Sequence, residues 1–209
     1  MLPPLPEKLM MMLAANTALF GAIALVLWGV EALWRRFGKK TAKVFPGHER
    51  MGAMASLGFA VRQMPWIVGV ALALSAAATL TARRLGLDLP SQDMLKWLSG
   101  DTYSMPIKAA VVAFATIEAP LLEELVFRRF LFRAFLRCMP LWGAAALSGA
   151  LFALMHCNAL VFIPLAFLGG AFAWIYWRTG RIASAMFAHF IFNAINVVLL
   201  LSFPELENM

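Results

Sequence analysis

A small set of polar side chains that could carry chemistry lies inside strongly apolar segments of this 209-residue chain. They are Glu123, Glu124, Arg128, His156, His189 and Asn193. An ionisable side chain costs about 2.5–3.5 kcal/mol at the centre of a membrane helix, so each one is a functional candidate. A carboxylate, two imidazoles and an amide can form a hydrolytic site. The carboxylate would act as general base on a water, one histidine would orient that water or protonate the leaving group, and histidine and asparagine would donate to an oxyanion.

The spacing of these residues indicates which side chains share a helix face. Glu124 and Arg128 are four residues apart with the acid first, so they can pair on one face. Glu123 points about 100° away and has no such local partner, so it is the carboxylate left for chemistry. Pro120 precedes the pair and is expected to strain the helix, and such kinks admit polar groups.

Two histidines on other segments complete the constellation. His189 begins a polar stripe with Asn193 and Asn196 at i, i+4 and i+7 on an otherwise apolar segment. His156 closes a different apolar segment, and its apolar neighbours require a partner from another helix. Two histidines and Glu123 could instead bind a zinc ion that activates water, and the residues leave this alternative open.

Composition indicates which elements position these residues. Hydrophobic residues make up 62% of the chain, charged residues 14%, and the mean hydropathy is +0.78, which predicts an integral membrane protein. We expect an all-α, polytopic bundle of about six transmembrane helices. The expected spans are 16–34, 64–82, 107–127 or beyond, 141–156, 159–177 and 182–203. The apolar run 51–61 is too short to span and is expected to lie along the interface. The N-terminus lacks the pattern of a cleaved signal and is expected to be retained.

The net charge of +7 comes mostly from basic residues beside apolar segments, where they orient helices and meet anionic lipid. No nucleic-acid partner is expected. We divide the chain into N-terminal membrane helices with a basic cytoplasmic loop and an interfacial segment (1–104), a catalytic helix core (105–203) and a short acidic tail (204–209). The positive-inside rule puts both termini outside.

The helix that carries Glu123 is expected to continue past Arg128 and to stop at Pro140. A helix that ended at Arg128 would leave Glu123 only about 8 Å from its end, whereas His156 lies about 22 Å along its own helix. In the longer helix Glu123 moves to about 21 Å from the end, and Arg129, Arg133 and Arg137 form a stripe that reaches the cytoplasmic face.

Three short motifs in this order resemble those of the CAAX protease and bacteriocin-processing (CPBP, Abi) family of intramembrane proteases. "EELVFR" (123–128) resembles the family's EExxxR motif, "FALMH" (152–156) its FxxxH motif, and "HFIFN" (189–193) its HxxxN motif. The resemblance covers roughly residues 105–203. The family often has a small residue after the motif arginine, whereas this chain has Arg129.

The resemblance implies a membrane-embedded endopeptidase of the CAAX type in a bacterial cytoplasmic membrane. By matching positions, Glu123 would activate the water with His156, and His189 and Asn193 would form the oxyanion hole. Glu124 and Arg128 would support them. The implied partners are membrane lipids and a peptide or lipidated-protein substrate cut near its C-terminus or in a membrane-proximal segment. No cofactor is favoured, with zinc on Glu123, His156 and His189 as the alternative.

Two functions of other classes remain open from the residues. A non-catalytic immunity or binding protein could keep the same fold as a scaffold. A small proton-coupled carrier could use Glu123 and His156 as a relay, although the sequence has neither internal repeats nor a second helix broken by Gly or Pro.

Overall fold

The computed structural model describes residues 7–37, 50–87 and 104–202, and these residues form six helices. The helices are α1 (Glu7–Phe37), α2 (Ala53–Arg84), α3 (105–135), α4 (Leu141–Met155), α5 (Phe162–Thr179) and α6 (Ile182–Ser202). The all-α prediction is confirmed. The expected interfacial segment within 88–103, most of the basic loop and the acidic tail lie outside the described residues, and the division of the chain at residue 104 stays a prediction.

Within the described residues, length and composition identify fewer clear membrane-span candidates than the six spans expected. Two helices, α2 and α6, are long and apolar enough to cross a membrane, and Leu13–Gly29 and Leu141–Met155 are shorter apolar stretches. Residues 53–61 form the first turns of the 32-residue helix α2 and are not a separate element, while their expected position at the interface stays a prediction. Pro65 does not end this helix but lies inside it. The short apolar run is therefore continuous with the span that follows it.

Helix α3 is long, as predicted, and its hydrogen-bonding pattern changes along its length. It contains two π-helical stretches, Phe114–Glu118 and Leu125–Phe132. At the first stretch the N–H of Ala119 donates to the carbonyl of Phe114, five residues back. Pro120 has no N–H to offer the carbonyl of Ala115, which is thereby left without a partner from its own helix. Helical geometry ends at Phe135, and a turn leads to Pro140, the N-cap of α4.

Helices α4 and α5 approach each other closely through glycines. A Cβ added to Gly149 would lie 2.3 Å from the carbonyl oxygen of Ala166, and one added to Gly169 would lie 2.6 Å from the Cα of Gly149. Small residues allow this backbone contact, as they commonly do between membrane helices. The contact fixes the position of Gly169, whose carbonyl faces α3.

The turn between α5 and α6 is held by the segment before α2. Gly180 ends α5 with a left-handed φ of 67°, which a glycine adopts without strain. Its carbonyl accepts from Nε of Arg50 at 3.0 Å, and the N–H of Met51 donates to the carbonyl of Thr179 at 3.1 Å. Nε of Arg181 in turn donates to the carbonyl of Met51. These bonds set where α6 begins, and so help to position His189.

The distribution of polarity is that of a helical membrane protein. Glu124 and Arg128 are fully buried, whereas large apolar side chains are exposed on the outside. Examples are Trp28, Leu80, Trp142, Ile163 and Val198. An apolar exterior around a charged interior suits a hydrocarbon surrounding and is costly in water.

Candidate active site

The Arg128 side chain occupies the centre of the helix bundle. It is fully buried, its Nη1 lies 3.0 Å from Oε1 of Glu124, and its Nη2 donates to the carbonyl of Gly169 at 3.1 Å. Three phenyl rings surround the guanidinium, with that of Phe152 nearest at 4.7 Å and those of Phe172 and Phe127 within 6 Å. The predicted pairing on one helix face is present. The aromatic rings add cation–π attraction of about 0.5–2 kcal/mol each in such a desolvated position.

Glu124 connects this arginine to α6. The same oxygen that pairs with Arg128, Oε1, accepts from Nδ1 of His189 at 3.0 Å. A carboxylate only accepts hydrogen bonds, so Nδ1 of His189 carries the hydrogen and Nε2 of the neutral ring has a lone pair. Phe172 stacks on the imidazole with its centroid 4.9 Å away. Arg128, Glu124 and Phe172 therefore fix both the orientation and the tautomer of His189.

Glu123 approaches the same histidine from the neighbouring face of α3. Its Oε2 lies 3.7 Å from Nε2 of His189, and its side chain is 12% exposed. This distance is longer than a hydrogen bond. The two glutamates therefore differ, because Glu124 holds the histidine and Glu123 faces its lone-pair nitrogen across a small gap.

His156 lies at the end of α4 and touches the site through Phe152. Its Nδ1 lies 2.9 Å from the carbonyl oxygen of Phe152, so Nδ1 carries the hydrogen and Nε2 is left as an acceptor. The Phe152 ring lies 4.8 Å from the imidazole of His156 and 5.7 Å from that of His189. His156 is exposed and makes no hydrogen bond to Glu123 among the described residues. The structure thus brings His189 closer to Glu123 than it brings His156.

The side chains of Asn193 and Asn196 donate hydrogen bonds to different helices. Nδ2 of Asn193 donates at 2.8 Å to the carbonyl of Ala115, which Pro120 leaves without a partner in α3. Nδ2 of Asn196 donates to the carbonyl of Phe192 on its own helix at 2.9 Å. The polar stripe predicted on α6 therefore divides: His189 and Asn193 face α3, and Asn196 does not join them.

The residues that would bind zinc do not form a ligand set. Across the described ranges, no three side chains of His, Cys, Asp or Glu come together as a group that could hold a metal ion. Nδ1 of each histidine is bonded to an oxygen of another residue, which leaves only Nε2 of each ring to face a ligand. We therefore derive no step through a metal.

Sequence reasoning missed the contacts that join one helix to another. Spacing predicted that Glu124 pairs with Arg128, and it contained no signal that His189 shares the same oxygen. The contacts of the Gly169 carbonyl with Arg128 and of the Phe172 ring with His189 could not be predicted from the sequence either. A backbone carbonyl and one phenylalanine among 17 give no local sequence pattern. Another α3 acid, Glu118, accepts from Thr17 of α1 at 2.6 Å and lies outside this cluster of contacts.

Part of the chain is similar in sequence to known proteins. Residues 105–195 match the family described as "Type II CAAX prenyl endopeptidase Rce1-like". The chain is also 30% identical over 89 residues to the "Putative membrane peptidase YdiL" of Bacillus subtilis (strain 168). That alignment covers 43% of this chain and 36% of the relative, so the chain spans about a third of the relative's length. No solved structure matches the chain.

Proposed function

We propose that the chain is a membrane-embedded endopeptidase, because residues 105–195 match the type II CAAX prenyl endopeptidase Rce1-like family. It hydrolyses a peptide bond near the C-terminus, or in a membrane-proximal segment, of a peptide or lipidated-protein substrate. Its place is a bacterial cytoplasmic membrane, which the chain crosses several times. The observation that carries the proposal is the 3.7 Å approach of Glu123 to the lone-pair nitrogen of His189 in a nearly buried position.

Both Glu123 Oε2 and His189 Nε2 are acceptors that face the same space, so one water can donate a hydrogen to each. The oxygen of that water attacks the peptide carbonyl carbon while Glu123 takes its proton. The carbon–nitrogen bond then breaks, and the proton passes from Glu123 to the leaving amine. The water thus supplies a hydroxyl to the new carboxyl group and a hydrogen to the new amine.

The remaining polar groups act on the oxyanion and the leaving group. Asn193 uses one amide N–H on the carbonyl of Ala115 and keeps a second for an oxyanion. His189 can donate to the oxyanion only when Nε2 is also protonated, since Nδ1 is committed to Glu124. His156 offers a second imidazole on the other side of the Phe152 contact. This proposal gives His189 the water-orienting role that the motif resemblance implied for His156, and it keeps Asn193 as the donor to the oxyanion.

An apolar cavity between the helices that carry Glu123 and His189, which is lined by neither of these two residues, supports a substrate with a hydrocarbon part. It measures about 300 Å³ and is lined by residues of α2, α3 and α6. Pro120 and Leu121 line it on the helix of Glu123, and Phe190 lines it on the helix of His189. A lipid chain or an apolar peptide segment held there would contact the same helices that carry Glu123 and His189.

The test replaces Glu123 by glutamine, which keeps the size and removes the base. Proteomes of strains that produce the wild type or Glu123→Gln are compared for an uncut peptide, and its cleavage is then measured with purified protein. We expect the rate to fall about 10²–10⁴-fold, the usual contribution of a general base. Glu118→Gln is the matched control, because the same change on the same helix affects a contact with Thr17.

Retained cleavage by Glu123→Gln, with the protein still accumulating in the membrane, would overturn the assignment of the base. An unchanged cellular phenotype in both Glu123→Gln and His156→Ala strains would favour a non-catalytic immunity or binding protein instead. Sensitivity of purified activity to a chelator, restored by zinc, would favour the metal-dependent alternative.

A further inference from the structure

A second cavity lies between α1 and the C-terminal part of α3, and none of the candidate active-site residues lines it. It measures about 350 Å³. One part of its wall is apolar and includes Leu27 and Leu131, and the other part carries three arginines and one acid. The charged residues are Arg129, Arg133, Arg137 and Glu31.

The charges in this cavity do not balance. Nη2 of Arg129 lies 3.9 Å from Oε2 of Glu31, a long separation for an ion pair. Arg133 and Arg137 form no ion pair with any other described residue. Glu31 is the one acid among the lining residues, so within the described part of the chain three guanidinium groups face one carboxylate, an excess of two positive charges. Such a cavity favours an anion.

The shape of the cavity favours an anion that carries a hydrocarbon chain. Guanidinium groups bind phosphate oxygens through parallel hydrogen bonds, and the apolar wall would be left uncovered by a free inorganic anion. The sequence adds five basic residues between 35 and 43, at and beyond the end of α1. Clusters of this kind next to a membrane helix are typical of proteins that bind anionic lipid.

We propose that this cavity binds one anionic phospholipid, with the phosphate on the arginines at 129, 133 and 137 and an acyl chain against the apolar wall. The neighbouring residues Arg129 and Arg128 have different roles. Arg129 lines the proposed lipid site, whereas Arg128 is buried in the core and pairs with Glu124. The lipid site does not depend on the proposed peptidase activity.

Lipid retention by the full chain in detergent tests this proposal, with native mass spectrometry as the readout. Phosphatidylglycerol should bind roughly 30-fold more tightly than phosphatidylcholine, because the cavity has a net excess of two positive charges and each contributes about fivefold with an anionic lipid. In Arg133→Gln the ratio of phosphatidylglycerol affinity to phosphatidylcholine affinity should fall about fivefold. Arg62→Gln, an exposed arginine of α2 outside the cavity, is the control and should lose none. Equal binding of the two lipids, or equal preference in wild type and Arg133→Gln, would overturn the proposal.

The two cysteines provide a second test on the wild-type protein. Both are exposed, and Cys138 lines the cavity while Cys157 lies beyond the opposite end of α4. Phosphatidylglycerol in mixed micelles should slow maleimide labelling of Cys138 at least about fivefold relative to Cys157, and phosphatidylcholine should not. Protection of Cys138 by inorganic phosphate alone would make the site one for free anions. Unchanged labelling ratios with all three probes would reject any anion site.

Discussion

The two faces of α3 use the same residue type in opposite ways. On one face Arg128 is fully buried, lies 3.0 Å from Glu124 and donates to a backbone carbonyl. On the other face the adjacent Arg129 keeps a third of its side chain exposed and lies 3.9 Å from Glu31. Arg128 and Arg129 are adjacent and identical in the sequence. In the structure Arg128 lies in the core and Arg129 lines the cavity beside α1.

The difference teaches where charge contributes to this fold. A buried charge that loses its partner cannot return to water, so its removal is expensive even though the pair itself gained little when it formed. An exposed charge is solvated whether or not it is paired, and its loss costs little. Neighbouring arginines should therefore respond very differently to the same substitution.

The largest expected effect is on the buried face. Arg128→Gln removes the positive partner of Glu124, which is fully buried, and should lower the free energy of unfolding by about 3–5 kcal/mol. Arg129→Gln is the matched control and should cost about 0–1 kcal/mol. Unfolding of both variants in detergent by denaturant measures the two values. Equal losses would show that the two faces do not differ in the way the contacts indicate.

A second, smaller effect concerns the backbone contact that brings the Gly169 carbonyl to Arg128. Gly149→Ala places a Cβ against the carbonyl of Ala166, so α4 and α5 must separate. We expect a loss of about 1–3 kcal/mol, the range for overpacking a core. In Gly143→Ala the nearest atom is Sδ of Met139 at 3.6 Å, an ordinary contact. This control should be neutral or slightly stabilising, since alanine favours a helix more than glycine does. If Gly149→Ala and Gly143→Ala lowered the free energy of unfolding by similar amounts, the cause would be a change in backbone conformation and not the contact between α4 and α5.

Sequence patterns predicted what is local in this molecule. The i, i+4 pair of Glu124 and Arg128 and the continuation of α3 past Arg128 follow from helical periodicity and depth, and both are present. Contacts between helices could not be predicted that way, because the direction in which α6 faces α3 depends on packing. The same limit explains the run 51–61, whose short apolar length concealed that it continues into α2.

The smallest effect tests why Asn193 faces α3. Its amide satisfies the Ala115 carbonyl, for which Pro120 offers no N–H. Asn193→Ala should therefore cost about 0.5–1.5 kcal/mol, the net contribution of one hydrogen bond. Denaturant unfolding of the variant measures this loss. The Asn196→Ala variant is the control, since its amide bonds within its own helix and is exposed.

A double-mutant cycle separates this structural contribution from a direct role in hydrolysis. Pro120→Ala supplies an N–H five residues beyond Ala115, in the register of the π-helical stretch, so it can take over the bond that Asn193 made. In that background Asn193→Ala should lose much less stability than in the wild type, with a coupling of about 0.5–1.5 kcal/mol. Cleavage should stay impaired, because the second amide N–H that Asn193 offers an oxyanion is still missing. Recovery of cleavage together with stability would mean that Asn193 only positions α3, and strictly additive losses would mean that Pro120 is not the reason for its contact with Ala115.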